Sequence, residues 1–181
     1  MKKIETGIEG LVVLEPAVFG DERGFFMETF NAAEFAKAGL PTEWLQDNYS
    51  RSTKGVLRGL HFQEPNPQGK LVRAVVGAVW DVAVDLRKGS KTFGQHYGLE
   101  LSAENKKAFY VPKGFAHGFC VLTDIADFVY KCTNLYSPKD EGGLRWDDPE
   151  LKIDWPIKNP SLSQKDLKWG SLADYRKKNG I

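Results

Sequence analysis

Only two cysteines and three histidines occur among the 181 residues, and basic and acidic side chains nearly cancel, 25 against 24. Cys120 and Cys132 stand in apolar stretches with no metal-ligand spacing, so they are expected to be buried, reduced thiols rather than a disulfide framework or zinc site. A formal net charge of +1 leaves no broad basic field. That sets nucleic acid aside as a partner and makes any anion site a local cluster. No apolar run approaches the ~20 residues of a membrane span, so no membrane segment is expected. The first residues, Met-Lys-Lys-Ile-Glu, lack the apolar core of a secretory signal, and a cytoplasmic protein is expected. Low-complexity stretches and domain linkers are missing too. One domain over residues 1–181 follows, and a chain this long buries about 70% of its unfolded surface.

Short apolar runs punctuated by glycine and proline make up most of the chain, with little helical periodicity. Residues 4–19 read as extended segments. Asp21–Gly24 reads as a turn, and Phe25–Phe30 as a strand. A helix should follow, capped by Asn31 with Glu34 three residues on, contacted through Phe35 and Ala38, and stopped by Gly39 before Pro41. Trp44–Tyr49 is compatible with strand or loop. Lys70–Val76 and Ala78–Leu86, separated by Gly77, read as a hairpin. Within the second run Asp81, Ala83 and Asp85 share one face, opposite Trp80, Val82 and Val84. Strands are also expected at 93–101, 107–111, 119–122 and 126–133, followed by loop-rich chain and a short helix near Leu172–Lys178. Many short strands and few helices argue for an all-β sandwich or barrel.

The stretch from Gly55 to Gly77 narrows this. A glycine, five residues, His61-Phe62-Gln63, Lys70 and a glycine after six more residues resemble the first motif of the cupin superfamily. The Pro112-Lys-Gly-Phe-Ala-His117 run resembles its second. The resemblance implies a double-stranded β-helix, or jelly roll, with a few short peripheral helices. Cupins that bind a metal use two histidines and a glutamate from the first motif. Here the second histidine is replaced by Gln63 and the glutamate by the cationic Lys70, so no metal and no other cofactor is expected.

Further segments sharpen the resemblance. They are Glu22-Arg-Gly-Phe-Phe-Met-Glu28, Gln46-Asp-Asn48, Val56–Gln63, Gly69-Lys70, the run at 111–119, Tyr130-Lys131, Tyr136–Glu141 and Leu162-Ser-Gln-Lys-Asp166. Together they resemble the dTDP-4-dehydrorhamnose 3,5-epimerase family along essentially the whole chain. Phe62 stands where a tyrosine is also expected. The activity implied is inversion at C3 and C5 of a dTDP-4-keto-6-deoxy sugar, giving the 4-keto-L-rhamnose form.

That chemistry asks for particular groups. Removing a proton beside a ketone needs a base, and histidine, with a reference pKa of about 6.5, suits the task near neutral pH. His61 is favoured because Arg58, Gln63 and Lys70 lie near it in a barrel-forming segment. The resulting enolate oxygen needs a positive partner in a dry site, which Lys70 supplies where a metal cupin would use its ion. The resemblance gives His61 and Lys70 these roles. It also makes Asp166 the carboxylate that orients His61, although an aspartate in a C-terminal loop is ordinarily a cap or a solvated charge, and makes Tyr130 the proton donor on the opposite face. Asp81 and His117 are candidate supporting groups around the same cavity. Two phosphates call for guanidinium and ammonium partners, and Arg23, Arg58 and Lys165 occupy the matching positions. Glu28, Gln46, Asp47 and Asn48 are candidates for thymine hydrogen bonds, Phe26 or Tyr136 for stacking on its ring, and Gln63 and Glu141 for further substrate contacts. The family also implies a homodimer in which an N-terminal segment crosses over, so that Arg23–Glu28 serve the neighbouring site. Three other readings compete: a relative that epimerises one carbon or a 3,4-ketoisomerase; a non-catalytic sugar-nucleotide-binding cupin; and a metal-dependent oxygenase, which Gln63 and Lys70 disfavour.

Overall fold

The computed structural model describes residues 1–181. Two antiparallel sheets face each other. The first holds six strands in the order β1 (Lys2–Glu5), β2 (Val12–Glu15), β10 (Ala108–Val111), β7 (Lys70–Val76), β12 (Ile125–Cys132) and β5 (Gln46–Thr53). The second holds five, in the order β13 (Glu141–Gly143), β6 (Leu57–Gln63), β11 (Phe115–Val121), β8 (Ala78–Asp85) and β9 (His96–Ser102). This is the cupin jelly roll. A separate hairpin, β3 (Val18–Asp21) with β4 (Gly24–Met27), stands apart from both sheets. No helix is long and apolar enough to cross a membrane.

Strand β11 shows why the sheets pack as they do. Phe115, Phe119 and Val121 point into the core between the sheets, where they meet Val72, Phe109 and Phe128 of the opposite sheet. Ala116 and Cys120, at the intervening positions, point outward against Leu144, Leu151, Trp155, Leu172 and Tyr175 of the C-terminal region. Both faces of the strand are therefore buried, and its sequence reads as a nearly continuous apolar run. Burying one such side chain fully contributes about 1.5–3 kcal/mol. The split expected along β8 is also found: Val79 and Ala83 face the inner core, while Val82 and Val84 face the outer cluster.

The helices fall where the end signals put them. Helix α1 (Ala32–Lys37) is capped by Asn31, whose Oδ1 accepts from the backbone N–H of Ala33 and Glu34 at 3.0 and 3.3 Å. Phe35 is buried, and Gly39 takes a φ of +70° beyond the last turn. Helix α2 (Leu172–Asn179) opens on a reciprocal Ser171–Asp174 cap and closes on left-handed Gly180. Both cysteines are buried and free. The segment left open between strand and loop is strand β5 from Gln46 onward, and the strand read at Phe25–Phe30 ends at Met27.

The hairpin expected across Gly77 does not form. β7 lies in the six-stranded sheet and β8 in the five-stranded one, so Gly77 is the corner at which the chain changes sheets. Its φ of +66° suits glycine, and an added Cβ would lie 2.1 Å from the Ile125 carbonyl oxygen and 2.3 Å from Thr123 Oγ1. A single residue is too short for the two-residue turns that join hairpin strands.

Candidate active site

A cavity of about 770 Å³ opens between the sheets, walled by β5, β6, β7, β11 and β12 and by the chain from Ser161 to Asp166. That last segment is stitched to the start of β6. Leu57 N–H donates to the Ser161 carbonyl at 3.0 Å, and Ser161 N–H donates to the Gly55 carbonyl at 2.8 Å. The stitching delivers Asp166 to His61 from 105 residues away, with Nε2 and Oδ1 2.5 Å apart.

Asp166 is buried. Ser163 Oγ donates to its Oδ2 at 2.8 Å, and Trp169 Nε1 donates to Oδ1 at 3.3 Å. Burial pushes its carboxyl upward, but the hydrogen bonds from His61, Ser163 and Trp169 outweigh this and hold it below the ordinary carboxylate range. An ionised carboxylate only accepts, so the proton between the two groups sits on His61 Nε2. Nδ1 makes no hydrogen bond within the chain, on a ring whose side chain is 26% exposed.

A second pair sits deeper. His117 of β11 approaches Asp81 of β8 through Nε2, at 2.8 and 3.0 Å from the two carboxylate oxygens. Asp81 is fully buried, and the imidazole stacks on Phe128 at 6.4 Å. Lys70, the first residue of β7, lines the same cavity and enters no ion pair. Burial pushes its ammonium below the ordinary lysine range, since taking a cation out of water penalises the charged form. Tyr130 lies beside Phe128 on the cavity side of β12, and burial pushes its phenol upward, so it keeps its proton across neutral pH.

The rim is cationic and amide-rich. Arg58 spends one N–H on Ser52 Oγ at 3.0 Å and meets no carboxylate. Lys165 Nζ reaches Glu141 Oε1 at 2.7 Å, and the Tyr136 hydroxyl donates to Glu141 Oε2 at 2.9 Å. Gln46 Oε1 accepts from the Tyr136 backbone N–H at 2.8 Å, while its Nε2 donates to Asn48 Oδ1 at 2.9 Å.

Twelve of the predicted residues thus share one cavity: His61, Lys70, Tyr130, Asp166, Gln46, Asn48, Arg58, Gln63, His117, Tyr136, Glu141 and Lys165. Asp47 does not join them. It lies on the opposite face of β5 from Gln46 and Asn48 and pairs with Lys131 at 2.9 Å. Arg23 pairs with Asp21 in the exposed β3–β4 hairpin, Phe26 is 69% exposed there, and Glu28 accepts from Asn31 Nδ2 at 3.0 Å. None of these three lines the cavity of its own chain. Gln68, Phe119 and Ser163 also line it without having been singled out. Ser163 falls inside the Leu162–Asp166 motif, but nothing in the sequence distinguishes Gln68 or the supporting Trp169 from other amides and tryptophans. No three His, Cys, Asp or Glu side chains gather in a way that would hold a metal ion.

A jelly roll whose cavity holds an oriented histidine, an unpaired lysine and a protonated tyrosine is a cupin equipped to move protons. The chain matches the family described as dTDP-4-dehydrorhamnose 3,5-epimerase over residues 5–174, and it belongs to that family. It is 57% identical over 176 residues to the dTDP-4-dehydrorhamnose 3,5-epimerase of Shigella flexneri, covering 96% of this chain and 97% of that one. The crystal structure of dTDP-6-deoxy-D-glucose-3,5-epimerase from Legionella pneumophila, in complex with dTDP-4-keto-L-rhamnose, superposes with a TM-score of 0.92 at 52% identity, covering 95% of this chain and 93% of that one. A dTDP-4-dehydrorhamnose 3-epimerase of Streptomyces niveus is 42% identical over 178 residues, 97% of this chain and 86% of that one.

Proposed function

We propose that the protein inverts C3 and C5 of dTDP-4-dehydro-6-deoxy-D-glucose to give dTDP-4-dehydro-L-rhamnose, through an enolate and without a metal. The observation that carries this is the His61–Asp166 pair, with its free Nδ1, in the same cavity as the unpaired Lys70 and the protonated Tyr130. His61 takes the proton from the carbon beside the ketone, and its positive charge is balanced by Asp166. The electron pair moves onto the ketone oxygen, where Lys70 stabilises the enolate charge. Tyr130 returns a proton from the opposite face and takes one back from solvent, while His61 releases the abstracted proton to solvent and is again a base. A second round at the other carbon completes the reaction.

Arg58 and Lys165 hold the diphosphate, Gln46 and Asn48 meet the thymine, and Tyr136 stacks on its ring. Arg23, Phe26 and Glu28 act in the cavity of a partner subunit, each chain of a homodimer lending its β3–β4 hairpin to the other. Exposed Phe19, Phe25 and Phe26 on that hairpin support the exchange. The enzyme works in the cytoplasm as one cupin domain. Identity favours action at two carbons, 57% to a 3,5-epimerase against 42% to a 3-epimerase.

Incubation with the dTDP-4-keto sugar in deuterated water tests the reading. Deuterium at both C3 and C5 is expected by NMR. Deuterium at C3 alone makes the protein a mono-epimerase, and none at either carbon makes it a binder.

A further inference from the structure

Gln63 sits where metal cupins carry their second histidine, yet its amide is aimed at the backbone. Nε2 donates to the Asn66 carbonyl at 2.8 Å and to the Leu135 carbonyl at 3.2 Å, while Oε1 accepts from the Ser137 N–H at 2.9 Å. The last two contacts fall on the peptide groups either side of Tyr136. The Tyr136 N–H between them is taken by Gln46. Gln63 is 5% exposed, and both of its N–H donors are used within the chain.

We infer that Gln63 is a positioning residue that fixes Tyr136 at the cavity rim, and so sets how tightly the nucleotide base is held. The residue type follows from the task. A primary amide offers two donors and an acceptor in one plane, whereas a neutral imidazole offers a single donor and a carboxylate none. Asn66 Nδ2 carries the link onward to Asp140 Oδ2 at 2.7 Å, and Gln68 Nε2 to the Asn134 carbonyl at 2.9 Å. The β6–β7 loop and the segment carrying Tyr136 are thereby tied into one unit. Tyr136 is exposed to about half and has no buried apolar seat of its own, so its place depends on these backbone contacts and on the bond from its hydroxyl to Glu141.

The inference rests on the proposed stacking of Tyr136 on the base, and two measurements keep the claims apart. Amide hydrogen exchange of the ligand-free full chain, followed by NMR, reads the clamp alone. Gln63→Leu should speed exchange of the Ser137 amide by at least tenfold and leave the β6 amides unchanged. Calorimetry with dTDP reads the consequence. Gln63→Leu should weaken binding about tenfold in the wild-type background and by less than twofold in a Tyr136→Ala background. In turnover, KM should rise about tenfold while kcat falls by no more than about threefold. Should Gln63→Leu not fold, Gln63→Met keeps the length of the side chain and removes both donors and the acceptor, with shifts in the same direction. Unchanged Ser137 exchange, or an equal affinity loss with and without Tyr136, overturns the inference. Wild-type protein that fails to bind dTDP overturns the proposed function instead, and the exchange data still judge the clamp.

Discussion

Two histidine–carboxylate pairs face the same cavity, and they are assembled in opposite ways. His117 and Asp81 come from neighbouring strands of one sheet, so the register of β11 on β8 brings them together, and both are sealed inside the barrel. His61 and Asp166 are joined across 105 residues by a C-terminal segment laid along β6. There the carboxylate is sealed and the imidazole is left partly open, at 3% and 26% exposure of the side chains. The proposed base must touch its substrate, so one ring nitrogen has to remain free while the other is held. The buried pair supports a wall, through the stacking of His117 on Phe128 and then Phe119.

This contrast can be broken by removing the carboxylate from each pair. Asp166→Asn keeps the shape but removes the ionised acceptor that fixes the His61 tautomer. Turnover should fall by up to about 10⁴-fold, the loss expected when the carboxylate that fixes a base histidine's tautomer becomes an amide, with little change in melting temperature. Asp81→Ala should do the reverse. It strands His117 without a partner inside the barrel, which costs about 1–3 kcal/mol and, for a chain this size, lowers the melting temperature by about 2–4 °C per kcal/mol. Its effect on turnover should be the smaller of the two. Calorimetric melts and steady-state kinetics on both variants decide the matter, and equal effects on stability and turnover erase the distinction.

A finer test uses pH. Burial lowers the Lys70 pKa and raises that of Tyr130. In the proposed role the ammonium is the useful form and exists below its pKa, so activity should be lost as pH rises through the lowered lysine value, before Tyr130 ionises. Lys70→Arg, whose cation persists, should move the alkaline limb of kcat upward even if the maximum is lower. An unmoved limb assigns it to another group.

How much of this was legible depends on how local each signal is. The Asn31 cap, the Gly39 stop and the inner and outer faces of β8 follow from short-range rules and appear as read. Gly77 does not, because two apolar runs with one glycine between them look the same whether the chain turns back or changes sheets. Asp47 was grouped with Gln46 and Asn48 although alternation along a strand separates them. That rule applied only once β5 was known to be a strand, and cross-strand Lys131 then claims the aspartate. Asp166 follows from family resemblance alone, since no local feature says that a C-terminal loop is laid along β6. Gln63 reads from its place in the motif as a substrate contact, and its backbone partners, which carry the inferred clamp, lie in segments that no local signal joins to it.

The central claim is that one side chain removes protons and another, later in the sequence of steps, returns them. The direct measurement is deuterium wash-in from solvent at C3 and C5, followed by NMR beside product yield, for His61→Asn and Tyr130→Phe. His61→Asn should abolish exchange at both carbons, because no enolate forms. Tyr130→Phe keeps the base, the lysine and nearly the same volume, so exchange should persist while inverted product falls by about 10²–10⁴-fold. Brisk exchange in His61→Asn, or equal loss of exchange and inversion in Tyr130→Phe, would contradict the account.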